Sequence, residues 1–153
     1  MYYDGQGVSQ DFEQAMVWIR KAADQGDADA QFNVGCMLDE GQGADVDKEQ
    51  AFAWHLKAAE QGHAQAQCNL GGRYHTGRGV AQDFEQALVW YRKAADQGDA
   101  NAQYQLGGMY DQGQGVIRNI HDALVWVRRA AEQGFKPAIE VAPHIEAEID
   151  SST

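Results

Sequence analysis

The chain is short of several things, and each shortage closes a class of explanation. Among 153 residues there are two cysteines, Cys36 and Cys68, 32 positions apart. They occupy different places in the repeat described below, so they do not read as a disulfide installed once per unit; two free thiols on helices is the simpler expectation. Basic residues are scarce: 12 Lys and Arg against 23 Asp and Glu leave a formal net charge of −11. Phosphate binding needs clustered Lys and Arg, so nucleic acid is excluded as a partner, and anionic membrane surfaces with it. No apolar run approaches the ~18 residues of a spanning helix. Serine occurs only at Ser9, Ser151 and Ser152, in neither a Ser-x-x-Lys nor a Gly-x-Ser-x-Gly setting. The five histidines, His55, His63, His75, His121 and His144, form no HxxxH or HExxH pair, and there is no CxxC. The expectation is a protein without catalytic residues, metal or cofactor.

What the chain has in quantity is repetition. Glycine pairs recur at a step of 36 residues: Gly5/Gly7, Gly41/Gly43, Gly77/Gly79 and Gly113/Gly115. Trp18, Trp54, Trp90 and Trp126 keep the same step, as do four Ala-Ala pairs from Ala22-Ala23 to Ala130-Ala131. The 22 residues from Gly5 to Gly26 differ from those of Gly77 to Gly98 at only four positions. A period of this length marks an array in which each unit buries its apolar face by stacking on its neighbours. One solenoid domain over 1–153 follows, with units at about 1–26 (partial), 27–62, 63–98 and 99–134 and a capping segment at 135–153. Tyr2 stands where Leu38, Tyr74 and Tyr110 stand later, so the first unit lacks its opening helix. No secretory signal precedes Tyr2, and the compartment is not legible; a periplasmic or secreted location follows only if an upstream signal was removed.

Within a unit the periodicity predicts two helices. In the first, Ala30, Val34 and Leu38 lie one turn apart with Gly35 beside them, and Ala66, Leu70, Gly71 and Tyr74 repeat the pattern. A mid-helix glycine costs ~1 kcal/mol against alanine. Its recurrence at one phase predicts a close backbone crossing with the next helix. The glycine pair then turns the chain, and Asp47 is the expected N-cap of the second helix with Gln50 as reciprocal capping partner. Asp11/Gln14 and Asp83/Gln86 repeat this, and Asn119/Asp122 approximates it. Ala51, Trp54, Ala58 and Ala59 form the buried stripe, with Gly62 as the C′ residue. Near the end, Pro143 takes the place of Gly35, Gly71 and Gly107, which predicts a broken or kinked capping helix over Lys136 to Asp150 and a loose tail.

These residues resemble the Sel-1-like repeat family, a relative of the tetratricopeptide repeats. The third unit carries the pattern in full: Ala64-Gln-Ala-Gln67, Leu70-Gly71, Tyr74, Gly77-Arg-Gly-Val80, Asp83, Ala87, Trp90, Lys93-Ala-Ala95 and Gln97-Gly98. The likeness spans Tyr2 to about Ala138; Ala44 in place of the usual Val, Lys48 where Phe12 and Phe84 stand, and the proline-containing end depart from it. The resemblance implies an all-α, right-handed superhelix of antiparallel helix pairs whose first helices line a concave face, and a non-enzymatic scaffold or adaptor that binds a protein or peptide there. Relatives have also been described as β-lactamases, which makes a hydrolase the alternative from another class. A third reading is an acidic immunity or inhibitor protein for a basic partner.

A partner on that face would meet positions that vary between units while the buried phase stays fixed. These are Phe32, Asn33, Cys36 and Met37 in the second unit; Cys68, Asn69, Gly72 and Arg73 in the third; Tyr104, Gln105, Gly108 and Met109 in the fourth. Phe32, Met37, Tyr104 and Met109 are expected as apolar anchors, and Asn33, Asn69, Arg73 and Gln105 as polar contacts. For Phe32 and Tyr104, packing between units is an equal alternative.

Overall fold

The computed structural model describes residues 6–153, with side chains from residue 11 onward. Among these residues there are eight α-helices: α1 (Gln6–Asp24), α2 (Ala28–Glu40), α3 (Lys48–Glu60), α4 (Ala64–Thr76), α5 (Phe84–Asp96), α6 (Ala100–Gln112), α7 (Ile120–Glu132) and α8 (Lys136–Ser151). Each packs on the helices before and after it in sequence, so the order in the chain is also the order in space. The result is an all-α solenoid, with α2, α4 and α6 as first helices and α3, α5 and α7 as their partners.

Small residues set the spacing of the helices. Ala51, Ala58, Ala66, Ala87, Ala94, Ala102, Ala123, Ala130 and Ala138 are all essentially without solvent exposure. Trp54, Trp90 and Trp126 fill the volume beside them at 9, 8 and 7% exposure, whereas Trp18 in α1 is 69% exposed. Each indole carries a cation on its face from one turn ahead: Lys21 on Trp18, Lys57 on Trp54, Lys93 on Trp90 and Arg129 on Trp126.

The mid-helix glycines receive a side chain and not, in the main, a backbone. A Cβ on Gly35 would lie 2.7 Å from the His55 ring, and one on Gly71 would lie 2.6 Å from the Tyr91 ring. At Gly107 the intruder is Val127, with the carbonyl of Ala123 also at 3.0 Å. Each notch is therefore filled from the second helix of its own unit, at one position that changes from His to Tyr to Val.

The glycine pairs of the later units turn as expected, with φ between 67° and 73°. The second glycine of each also lies against the backbone of the preceding second helix. A Cβ on Gly43, Gly79 or Gly115 would meet the carbonyl oxygen of Phe12, Lys48 or Phe84 at 2.3, 2.7 or 2.5 Å. Asp47, Asp83 and Asn119 cap the following helices through their side chains. The reciprocal half of the capping box is not formed, because the cap's own N–H is already taken. Asp47, Asp83 and Asn119 donate it to the carbonyls of Leu38, Tyr74 and Tyr110. Gln50 instead donates to the Asp47 carboxylate.

The first unit departs from this pattern. Gly7 and Asp11 lie inside α1, so Asp11 is not an N-cap. The carbonyl equivalent to those of Leu38, Tyr74 and Tyr110 belongs to Tyr2, which with Gly5 lies outside the described residues.

A polar ladder joins the units. Gln31, Gln67 and Gln103, all buried, donate to the carbonyls of Ala23, Ala59 and Ala95 at the end of the preceding second helix. The side-chain oxygens of these three glutamines accept from Gln61, Gln97 and Gln133 in turn. At the far end α8 packs on α7 through Ala138, Ala142 and Ile145. It runs through Pro143 as one helix to Ser151 without the expected break. Pro143 is exposed, so the carbonyl that it leaves unbonded can be hydrated.

The two kinds of helical glycine predict opposite outcomes. Gly71→Ala drives a methyl into the Tyr91 ring and should destabilise the chain by roughly 1–3 kcal/mol, reduced by the ~1 kcal/mol that alanine gains in a helix. Gly108, whose Cβ would meet nothing within 4 Å, should give a Gly108→Ala variant that is more stable by up to ~1 kcal/mol. Urea unfolding of both variants beside the parent chain measures the contrast.

Candidate functional site

The variable positions of the first helices divide into three sets. The first is buried: Met37 and Met109 are 7 and 1% exposed, and Arg73, at the same place in its unit, is 3% exposed. These three are not surface anchors, because their phase points between units. The second set is aromatic and half-buried. Phe32 stacks on His63 with ring centroids 4.7 Å apart, and Tyr104 packs against Phe135 at 5.4 Å. Both belong to packed clusters. The third set faces outward: Asn33 is exposed, and Asn69 and Gln105 are half-buried.

Asn69 and Gln105 line one open groove of about 610 Å³ between α4 and α6. From α4 it takes Gln65, Cys68, Asn69, Gly72, His75 and Thr76, and from the start of α6 Asp99, Asn101 and Gln105, with Tyr91 at the floor beside Gly72. The groove thus gathers amides, a carboxylate, two hydroxyls, an imidazole and a thiol, and has no Lys or Arg in its lining. Asp99 spends one carboxylate oxygen capping Ala102 N–H at 2.8 Å. Gln105 reaches Asn101 Oδ1 only at 3.5 Å. Cys68 is buried, and its pKa is pushed up to about 12, first by burial and then by the charge of Asp99. It is a thiol, not a thiolate nucleophile. Cys36 and Cys68 are unpaired.

Arg73 belongs to an ionic cluster between the second and third units, buried at Arg73 and His55 and open to solvent at Lys48 and Arg78, that periodicity alone does not reveal. Asp39, at the end of α2, accepts from Arg73 and contacts His55 Nε2 at 3.3 Å on one carboxylate oxygen. Lys48 and Arg78 approach the other oxygen at 3.4 and 3.7 Å. This gives a role to Lys48, the departure from the aromatic pattern. Burial works against ionisation of Asp39, but the Arg73 guanidinium, followed by His55, holds its carboxyl below the usual range. His55 has no solvent exposure, and its pKa is pushed down to about 4 by burial first and by Arg73 second, against the pull of Asp39.

At the next interface the whole set changes character. His75 occupies the place of Asp39 and meets Phe84, Tyr91 and Gln114, which stand where Lys48, His55 and Arg78 stand. The signal was present in the sequence: five positions at the same step of 36 switch together.

Helix pairs stacked in series at a step of 36 residues define a helical-repeat protein. A family model described as Sel1 repeat matches residues 1–27, 28–63, 64–99 and 100–135, and the chain belongs to this family. Sel1 repeat proteins are in general protein–protein interaction scaffolds without enzymatic activity. None of the curated proteins compared with the chain matches it. Among solved structures, the chain is similar to a Sel1 repeat protein from Oxalobacter formigenes, with 38% identity and a TM-score of 0.85 over 90% of this chain and 55% of that one. It is also similar to c5321, described as a protective antigen in uropathogenic Escherichia coli strains displaying an SLR fold, with 43% identity and a TM-score of 0.82 over 88% of this chain. The chain spans only 29% of that antigen. Helicobacter pylori cysteine rich protein B shares the fold, with a TM-score of 0.69 at 24% identity over 90% of this chain and 99% of its own. Among the described residues no helix is long and apolar enough to cross a membrane.

The ionic cluster yields two expectations. An unfolded His55 protonates near its ordinary 6.5, but the folded one only near 4. The unfolded state therefore binds more protons between these values, and stability is complete above about pH 6.5 and falls as pH drops toward 4. The depressed pKa of Asp39 acts in the same direction at lower pH. The melting temperature should fall from about pH 7 to about pH 5, and His55→Val, which copies Val127, should flatten that slope. Arg73→Ala, by contrast, strands the Asp39 carboxylate in a site with 11% side-chain exposure and should cost about 3 kcal/mol in denaturant unfolding. Pairing it with an Asn69 substitution would therefore not leave folding intact.

Proposed function

We propose that this chain is a non-enzymatic adaptor that holds a protein or peptide along the face formed by its first helices, centred on the groove between α4 and α6. The observation that carries this reading is the placement of Asn69, Asn101 and Gln105 around one open groove, while Met37, Arg73 and Met109 are committed to packing between units. Amide side chains offer donors and acceptors at once, which suits the unpaired N–H and C=O groups of an extended backbone. The acidic surface adds long-range selection against anionic partners.

Among the residues whose side chains are described, the hydrolase alternative finds no support in the placement of Ser151, Ser152 and Cys68. The hydroxyls of Ser151 and Ser152 donate to the carbonyl of Glu148 at the end of α8, and Cys68 is held as a thiol.

Photocrosslinking tests the proposal. Benzoylphenylalanine introduced at Asn69 or Gln105 should capture a protein from the native extract, while the same residue at Val89, 46% exposed on α5, should not. With the captured partner purified, the double variant Asn69→Arg/Gln105→Arg should keep its helical circular dichroism and lose at least about tenfold in affinity. Equal capture from Val89, or unchanged affinity in the double variant, would refute the assignment.

A further inference from the structure

The groove exists because one unit omits an aromatic side chain that its neighbours supply. Phe32, Cys68 and Tyr104 hold the same place in successive first helices, and His63, Asp99 and Phe135 hold the matching place at the start of the next first helix. Between α2 and α4 this pair of places holds the Phe32–His63 stack, at 4.7 Å. Between α6 and α8 it holds Tyr104 against Phe135, at 5.4 Å. Between α4 and α6 it holds a thiol and a carboxylate, and there the groove of about 610 Å³ opens. The floor is lowered further at Gly72, which stands where Cys36 stands in the second unit, and the hydroxyl of Tyr91 reaches to 3.4 Å from the Cβ that Gly72 lacks. The adjoining units thus show what this space fits: a flat ring lying against the start of the following helix.

Resting on the adaptor reading above, the geometry points to a specific anchor. The groove takes one aromatic side chain of the partner, of the kind that carries a hydrogen-bond donor, a tyrosine or tryptophan. The ring replaces the missing Phe or Tyr against Cys68 and Tyr91. The lining offers that donor several acceptors: the Asp99 carboxylate, which also caps Ala102 N–H and takes the Cys68 thiol, and the side-chain amides of Asn69 and Gln105. With one carboxylate and no Lys or Arg in that lining, in a chain of net charge −11, an anionic aromatic such as phosphotyrosine is rejected.

The test is a titration of the isotopically labelled full chain with N-acetyl-tyrosinamide, followed by amide nuclear magnetic resonance. N-acetyl-leucinamide and N-acetyl-phosphotyrosinamide serve as controls. Shift changes confined to residues 65–76 and 99–105, seen with the tyrosine probe and absent with the other two, are expected. No shift with the tyrosine probe, or equal shifts with leucine, overturns the proposal without any variant being made. The double variant Cys68→Phe/Asp99→His copies the stack of the second unit and keeps a side chain able to cap, as His63 does for Ala66 N–H at 3.1 Å. It should lose the tyrosine response; if it folds, as circular dichroism reports, and the response survives, the anchor is refuted. A filled variant that still crosslinks its protein partner at full affinity through position 69 would sink the aromatic anchor and leave the adaptor reading standing.

Discussion

Each helix pair of this chain leaves a face that only the next pair can cover, and the approach of helices at that seam constrains everything else. Alanine at nine fully covered positions lets the helices approach closely. A notch at Gly35, Gly71 and Gly107 then admits one larger side chain per unit. Close approach also buries polar groups, and the array answers by repetition: Gln31, Gln67 and Gln103 give a second hydrogen bond to the carbonyls of Ala23, Ala59 and Ala95, which also accept from Gly26, Gly62 and Gly98 N–H. A buried amide of this kind is favourable only if both ends are bonded, so each ladder rung ties three helices to one register.

Much of this was legible in the chain because the physics repeats at a fixed step. Helix pairing, the glycine turns, the caps at Asp47 and Asp83 and the tryptophan stripe all follow from residue types whose local requirement is strong. Legibility failed where the deciding partner is remote in sequence. Which phase of a first helix faces solvent depends on the neighbouring units, and Met37, Arg73 and Met109 turned out to point into the seam. Asp39 reads as an ordinary surface carboxylate until Arg73, 34 residues away, is brought against it. The capping box failed for a similar reason, since the amide that Gln50 was to satisfy belongs to Leu38 by tertiary contact.

The groove was only half legible. Asn69 and Gln105 are among the positions that vary while the buried phase stays fixed, and both line one groove. Such variation does not distinguish an aromatic residue used for packing from one offered to a partner. Phe32 and Tyr104 are both of the first kind, because each finds a ring at the start of the next first helix. Comparing adjacent units supplies the missing distinction, since a difference at Cys68 matters only beside its partner position, Asp99.

The same comparison explains why a buried charge cluster survives in a fold that could do without it. The seam built from Asp39, Lys48, His55, Arg73 and Arg78 and the seam built from His75, Phe84, Tyr91, Met109 and Gln114 occupy equivalent space. Since the second is largely aromatic and apolar, burial alone does not require the first; a buried ion pair is a poor source of net stability compared with a well-packed apolar set. What the two seams provide is mutual incompatibility. Setting Arg73 against His75 would bury a cation without its carboxylate, and setting Met109 against Asp39 would take from that carboxylate its one buried cation. In an array whose units share one alanine, tryptophan and glycine framework at a step of 36, such penalties disfavour a unit stacking on the wrong neighbour. The ordered stack in turn brings Cys68 beside Asp99 and keeps the groove open.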